Sequence, residues 1–280
     1  MTPQRTDHSP LFVDAHVHIS DARGLDEVRA AGVVAVRDAG TRENRSLKEG
    51  LDVHRYPGPV VVSARWAIYK RGGYGSAFGE AVESCDELSS EIIKLARAGA
   101  AIIKVMASGM VSLREPGKVT IGGFSEEELR FIVREAGKAG LGVMAHANGE
   151  GAIISAARAG VRSIEHGFFI TEAALDIMAK AKTFWVPTVG ALARAAQADT
   201  LSEQMEKSIK SLLRAHLAMI HRAHSIGLSL AVGTDCVLPD TEYRKKYNDE
   251  VSYFERAGIS PDDVMKIACE NGARLLGLQE

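Results

Sequence analysis

A chain of 280 residues is long enough for one large α/β barrel or for two ordinary domains. Hydrophobic residues make up 46% and charged residues 25%, and the net charge of -2 excludes a general attraction to nucleic acid or to an anionic membrane. The sequence has no apolar run that would cross a bilayer, no signal-peptide pattern at its start and only three scattered cysteines, so we expect a cytoplasmic protein.

Short β-rich runs alternate with amphipathic stretches along the chain. Strands are predicted at residues 11–18, 33–38, 60–66, 101–107, 142–146, 163–166, 183–189 and 228–235. Helices are predicted at residues 25–31, 46–55, 86–98, 125–139, 150–159, 171–181, 202–225, 249–257 and 261–276, with long loops at 67–79 and 108–123. Eight such units without a linker predict an α/β protein that forms a single (β/α)8 TIM barrel over residues 1–280.

His16 and His18 end the first predicted strand. The active site of such a barrel lies at the carboxyl ends of its strands, and residues two apart on a strand face the same side. Both imidazoles are therefore candidate ligands of one metal ion. The alternative is a pair of hydrogen-bonded histidines in the core.

Lys104 lies inside the apolar fourth strand, where an unpaired ammonium group is costly. Burial lowers the pKa of a lysine, and a neutral amine reacts with CO₂ to give a carbamate that could bridge two metal ions. The alternative is a structural salt bridge from Lys104 to Glu165 or Asp14.

Three more candidate ligands end later strands. His146 and His166 end the fifth and sixth predicted strands, and Asp235 ends the eighth. Each alone has a structural alternative, namely a hydrogen-bonded histidine or an aspartate that caps a helix. Together, imidazole and carboxylate ligands suit zinc, and also manganese, cobalt, nickel or iron.

With these motifs the chain resembles the amidohydrolase superfamily. The pattern is His-x-His on the first strand, lysine on the fourth, histidines on the fifth and sixth, and aspartate on the eighth, and all six positions match in order. The segments 103–109 (IKVMASG) and 233–235 (GTD) and the tail 257–278 are similar, more narrowly, to its imidazolonepropionase-like and prolidase-like groups.

The resemblance implies a centre of two divalent metal ions, zinc first among them. The more buried ion would be bound by His16, His18 and Asp235, and the more exposed ion by His146 and His166. A carboxylated Lys104 and a hydroxide would bridge the two ions, and Asp235 would transfer protons. Members usually carry a small β-sandwich built from both chain ends, and we expect the present chain to lack it.

The loop after the third predicted strand carries the candidate substrate-binding residues, which are Tyr69, Lys70, Arg71 and Tyr74. Basic groups there could clamp a substrate carboxylate, and a tyrosine could hydrogen-bond an oxyanion. A solvated basic loop is the alternative. Weaker candidates for substrate binding or polar support are Arg65, Arg114, Asn148, Asn271 and Asp38.

The remaining histidines lack an evident acidic partner for a metal site. We expect His216, His221 and His224 to be surface or half-buried residues of the long helix, and His8 and His54 to be surface residues.

The expected function is hydrolysis of an amide bond in a peptide or N-acyl amino acid, or of an ester. Hydrolysis of a lactone or phosphoester at the same site, a mononuclear deaminase, and a degenerate barrel that only binds a small molecule are the alternatives. The expected partner is a small-molecule substrate, with no nucleic acid or membrane, and a homo-oligomer stays open.

Overall fold

The computed structural model describes residues 11–42, 58–112, 115, 117–197 and 201–278. The strands are β1 (Phe12–Ile19), β2 (Val33–Asp38), β3 (Val60–Ser63), β4 (Ala67–Lys70), β5 (Gly79–Val82), β6 (Ile102–Met106), β7 (Gly142–Ala147), β8 (Ser163–His166), β9 (Phe184–Val186) and β10 (Cys236–Leu238). The predicted helix at 46–55 lies outside the described residues, as do His8, His54 and Arg114.

The helices follow the strands and cover them from outside. They are α1 (Gly24–Ala30), α2 (Cys85–Arg97), α3 (Glu126–Lys138), α4 (Glu150–Ala159), α5 (Glu172–Ala181), α6 (Val189–Ala195), α7 (Glu203–Ser225), α8 (Tyr243–Arg256), α9 (Pro261–Lys266) and α10 (Gly272–Leu276), with a π-helical turn at Ile267–Asn271. In α3, Leu129, Ile132 and Ala136 face the core at helical spacing. Burial of Leu129 and of Ile132 each stabilises the fold by roughly 1.5–3 kcal/mol. None of the described helices is long and apolar enough to cross a bilayer.

All strand pairs between the named strands are parallel, and they form two sheets with the orders β10-β1-β2-β3 and β5-β4-β6-β7-β8-β9. In the second sheet Met106 pairs with His146, and Ala147 pairs with His166. Because the strands are parallel, their carboxyl ends lie at one edge, and the polar side chains at these ends converge. The chain is thus an α/β protein with parallel sheets.

Backbone hydrogen bonds cross both gaps between the sheets. The Ala101 amide donates to the Ser63 carbonyl at 2.8 Å, which joins β3 to the start of β6. At the other gap the segment 228–235 lies between β9 and β1. There the Trp185 amide donates to Ser229 at 2.9 Å and the Ala15 amide donates to Val232 at 2.8 Å.

Several predicted elements differ from the structure. The predicted strand at 183–189 ends at Val186 and α6 follows it, and the predicted helix at 249–257 begins earlier, at Tyr243. The segment 228–235 is irregular apart from one bridge between Leu230 and Trp185, because Asp235 takes a left-handed backbone and Gly233 packs against His16. A Cβ on Gly233 would lie 2.4 Å from a methyl group of Val186, so the close approach requires glycine.

The predicted loop at 67–79 contains β4 and the first residue of β5. Ala67 and Ile68 are completely buried and pair with Lys104 and Val105 of β6. The sequence did not predict this strand for two reasons. Only two of its four residues have buried side chains, and basic and glycine-rich residues follow it directly.

Candidate metal centre

The six predicted ligands lie at the carboxyl edge of the sheets. They are His16 and His18 in β1, Lys104 in β6, His146 in β7, His166 at the end of β8, and Asp235 just before β10. All except Asp235 are buried, and the Asp235 side chain is 23% exposed, toward the cavity that it lines.

Three of these residues form a compact group. The Oδ1 atom of Asp235 lies 3.4 Å from Nε2 of His16 and 3.3 Å from Nε2 of His18. One ligand atom from each residue falls within 4.8 Å of the other two, which is close enough for all three to hold one metal ion. His16 Nε2 is buried and has no hydrogen-bond partner among the described residues, which fits a nitrogen that binds a metal ion.

His146 and His166 lie beside this group. The His166 ring centroid is 5.1 Å from that of His16 and 4.6 Å from that of His146. Lys104, His146, His166 and Asp235 line the same cavity, so all six side chains meet at one place.

Each of the four histidines uses one ring nitrogen for a hydrogen bond. Nδ1 of His16 contacts Glu165 at 2.7 Å, Nδ1 of His18 contacts the Gly40 carbonyl at 2.6 Å, and Nδ1 of His166 contacts the Thr188 hydroxyl at 2.7 Å. His146 uses Nε2 instead, at 3.1 Å from the Gly109 carbonyl. A carboxylate or carbonyl partner fixes a ring N–H on that side, so the other nitrogen keeps a lone pair for a metal ion.

Glu165 connects the site to the core. Its Oε2 accepts from His16, and its Oε1 accepts from the guanidinium of Arg37 at 2.9 Å, with both side chains of this ion pair fully buried. Arg37 also donates to the Ala15 carbonyl and to the Ser163 hydroxyl. Burial acts to raise the pKa of Glu165, but Arg37 and His16 outweigh it and lower the pKa to about 2, so Glu165 is a carboxylate.

Lys104 is 1% exposed and has no hydrogen bond or ion pair with a described residue. The proposed alternative of a salt bridge from Lys104 to Glu165 or Asp14 is therefore wrong, because these carboxylates are satisfied by Arg37 and His16 and by Thr234 and Tyr243. Burial lowers the pKa of Lys104 to about 8.

The charges at the site favour neutral imidazoles around one carboxylate. Burial, followed by the nearby Lys104, lowers the pKa of His16 to about 4 and that of His146 to about 3. Burial acts to raise the pKa of Asp235, but the His18 contact and the nearby His16 outweigh it, so this pKa is below its usual value. These are the protonation states that metal ligands need.

Three residues of the site have left-handed backbones that side chains other than glycine rarely adopt. The φ angles are 65° at His166, 53° at Asp235 and 47° at Thr188, the partner of His166. Strain of this kind costs on the order of 1–3 kcal/mol for each residue and persists where function requires it.

Asp14, which the sequence suggested only as a partner of Lys104, holds the two ends of the site together. Its Oδ1 accepts from the amides of His16 and Thr234, and its Oδ2 accepts from the hydroxyls of Thr234 and Tyr243. It therefore ties β1 to the residue before Asp235. The signal in the sequence was an acidic residue inside the apolar first strand, two residues before His16.

A cavity of about 210 Å³ opens beside the predicted ligands. Of the four predicted substrate-binding residues, only Tyr74 lines it. Lys70 instead pairs with Glu128 at 2.7 Å, and Arg71 pairs with Glu87 at 3.2 Å. Burial raises the pKa of Tyr74 to about 12, so its hydroxyl stays protonated.

The weaker candidates also take other places. Asn148 supports the site, since its Nδ2 donates to the Gly109 carbonyl that also contacts His146, and its Oδ1 accepts from the Phe168 amide. Asp38 accepts from the Gly40 amide, next to the carbonyl that binds His18. Arg65 and Asn271 do not line the cavity, and Asn271 donates to the Leu230 carbonyl.

His216 is 2% exposed, so its prediction as a surface or half-buried residue is wrong. Its Nε2 faces the Pro187 carbonyl at 3.2 Å, and its ring packs against Phe168 and Trp185. On the same helix His221 is exposed and His224 is half-buried, as predicted.

Comparisons with known proteins identify the family of the chain. The sequence profile of the amidohydrolase family matches residues 9–280. Ochratoxinase from Aspergillus niger is 28% identical over 288 residues, which cover 92% of this chain and 58% of ochratoxinase. The chain thus spans less than two thirds of the length of this curated relative.

Solved structures show the same fold. A Xaa-Pro dipeptidase with bound methionine is 23% identical with a TM-score of 0.80, covering 96% of this chain and 75% of the other. A prolidase complexed with N-methylphosphonate-L-proline is 26% identical with a TM-score of 0.77 and the same coverage. The fold and the site are those of an α/β protein with a candidate metal centre, and the family model matches nearly the whole chain. This chain belongs to the amidohydrolase family.

Proposed function

We propose that this protein is a metal-dependent hydrolase that cleaves a C–N bond of an amide. The observation that carries the proposal is the set of four buried histidines, each with one ring nitrogen held by a hydrogen bond, around Asp235 and Lys104. Ester or lactone hydrolysis would use the same groups.

The proposed architecture is a closed (β/α)8 barrel of one domain. The hydrogen bonds that cross both gaps between the sheets support it, because they join the first sheet to the second at each side. The proposed site then lies at the carboxyl mouth of that barrel, where enzymes of this fold bind their substrates.

The proposed centre holds two divalent metal ions, with zinc as the first candidate. His16, His18 and Asp235 would hold one ion, and His146 and His166 the other. Bound divalent ions lower the pKa of water toward neutrality and polarise a carbonyl group.

Lys104 would bridge the two ions as a carbamate. With its pKa lowered to about 8, part of the population has a neutral amine near neutral pH. That amine can add to CO₂, which forms an N–C bond and releases one proton. The anionic product removes the cost of a buried ammonium group that lacks a partner.

Asp235 and Tyr74 would carry out the proton transfer and charge stabilisation. Asp235 accepts a proton from the attacking water at its carboxylate oxygen and returns it to the leaving nitrogen. The water oxygen bonds to the carbonyl carbon, the C–N bond breaks, and the products are a carboxylic acid and an amine. The protonated Tyr74 hydroxyl donates to the oxyanion.

A substrate screen tests the proposal. Protein loaded with zinc, manganese or cobalt is incubated with N-acyl amides, anilides, esters, lactones and phosphoesters, and products are separated by chromatography. We expect amide hydrolysis that disappears in the chelator-treated protein and in Asp235→Asn. A metal-loaded protein that turns over none of these amides would contradict the proposal.

A further inference from the structure

The cavity beside the proposed centre is apolar. Apart from the metal-ligand candidates, it is lined by Tyr74, Phe78, Met106, Met110, Val111, Asn148, Phe168, Ala191, Leu192 and Ala195. Leaving the histidines aside, only Lys104 and Asp235 are ionised among the described residues that line the cavity. Both belong to the proposed centre.

Lys70, Arg71 and Arg194 make polar contacts that take them away from the cavity lining. Lys70 and Arg71 are paired with glutamates outside the cavity, and Arg194 donates to the Thr234 carbonyl at 2.9 Å. The Asn148 Nδ2 donates to the Gly109 carbonyl at 3.4 Å, and its Oδ1 accepts from the Phe168 amide. The Tyr74 hydroxyl lines the cavity as a neutral donor, so it brings no charge to offset that of a substrate carboxylate.

A second cavity of about 300 Å³ extends this apolar surface. Val111 lines both cavities, and Phe168 of the first is followed by Phe169 of the second. Phe168, Leu192 and Ile209 form one hydrophobic cluster between the two cavities, with Val111 packed against it. The two cavities together suit an elongated apolar group, since about 150 Å³ of apolar space already accommodates benzene.

We propose that the site takes a neutral, apolar amide with no free carboxylate next to the scissile bond. This inference rests on the proposed function. It replaces the basic clamp that the sequence suggested, because a substrate carboxylate buried against Phe168 and Leu192 would have no basic partner among the described residues of the lining outside the proposed centre. The apolar group of the substrate would lie along the cluster of Phe168, Leu192 and Ile209, between the two cavities.

Binding of uncleavable ligands tests the inference apart from catalysis. The probes are ketone isosteres, with CH₂ in place of the scissile NH, of N-hexanoyl-L-phenylalanine and of N-hexanoyl-L-phenylalaninamide. The two probes differ by one charge. Isothermal titration into the zinc-loaded protein is expected to give a Kd at least about tenfold lower for the neutral probe.

A cation introduced into the cavity is expected to reverse the preference for the neutral probe. Ala195→Arg adds a positive charge to the cavity lining, and the exposed Gln197→Arg adds the same charge outside it. We expect Ala195→Arg to shift the ratio of the two Kd values toward the carboxylate probe by about tenfold. Gln197→Arg leaves the ratio unchanged, and metal content and circular dichroism show whether each variant is folded.

Equal or tighter binding of the carboxylate probe by the unmodified protein would overturn the inference, whether or not amides are hydrolysed. Tight binding of the neutral probe without hydrolysis of either amide would overturn the proposed function instead. Faster hydrolysis of N-hexanoyl-L-phenylalaninamide at the acyl bond, with the expected Kd ratio, supports both.

Discussion

Nδ1 of His16 lies 2.7 Å from Oε2 of Glu165, a carboxylate that also binds the buried guanidinium of Arg37. This contact fixes the tautomer of His16, so Nε2 keeps its lone pair toward Asp235. The orientation of one ligand thus depends on an ion pair in the core.

Glu165→Gln should therefore weaken both the site and the fold. The variant leaves Arg37 buried beside an uncharged amide, so we expect a loss of about 3–5 kcal/mol in the free energy of unfolding. Metal affinity should fall about 10–100-fold. Urea unfolding and metal titration measure the two effects.

Glu128→Gln is the matched control, because Glu128 pairs with the part-exposed Lys70 away from the cavity. We expect a stability change below about 1 kcal/mol there and unchanged metal affinity. Metal binding in Glu165→Gln as tight as in the unmodified protein would show that His16 needs no carboxylate partner.

Tyr74→Phe tests the hydroxyl donor of the cavity. The variant removes one donor to the oxyanion, so kcat should fall about 10²–10³-fold while metal content is unchanged. Tyr69→Phe is the control, because Tyr69 does not line the cavity. Steady-state kinetics on a cleaved amide distinguishes the two variants, and equal effects of both would remove Tyr74 from the proposed chemistry.

The buried His216 predicts a pH dependence of stability. Burial lowers its pKa to about 4, whereas an unfolded chain titrates near 6.5. Below pH 6.5 His216 binds a proton in the unfolded state but not in the folded state. The free energy of unfolding therefore falls as the pH drops toward 4. A shift of this size corresponds to about 3 kcal/mol.

His216→Phe should reduce this loss. The difference in unfolding free energy between pH 7 and pH 4.5, measured in urea on metal-free protein, should be smaller than in the unmodified chain. His224→Gln, on the same helix and part-exposed, should leave the pH dependence as it is. If His216→Phe and the unmodified protein show the same pH dependence, His216 binds a proton as readily in the folded state as in the unfolded state.

The ligand positions were accessible from the sequence because each is a polar residue inside or at the end of a predicted strand. His16, Lys104 and Asp235 stand out in this way, and the structure brings them together. The parallel order of the strands fixes that convergence, and it follows from the alternation of strands and helices.

The cavity lining was not accessible in the same way. Phe168 and Leu192 read as ordinary core residues, and the short helix α6 (Val189–Ala195) was taken as the end of a strand and a loop. Lys70 and Arg71 look available in the sequence, but their glutamate partners lie 58 and 16 residues away along the chain. Such pairings depend on tertiary packing and have no local sequence signal.

The most direct test of the proposed centre is the metal content of each chain, measured by elemental analysis on protein prepared without chelators and with bicarbonate present. The account predicts about two divalent ions per chain, and fewer in Lys104→Ala, because the carbamate that bridges them is lost. Lys70→Ala, which removes a part-exposed lysine outside the cavity, should keep both ions. One ion per chain, unaffected by Lys104→Ala, would contradict the bridged centre.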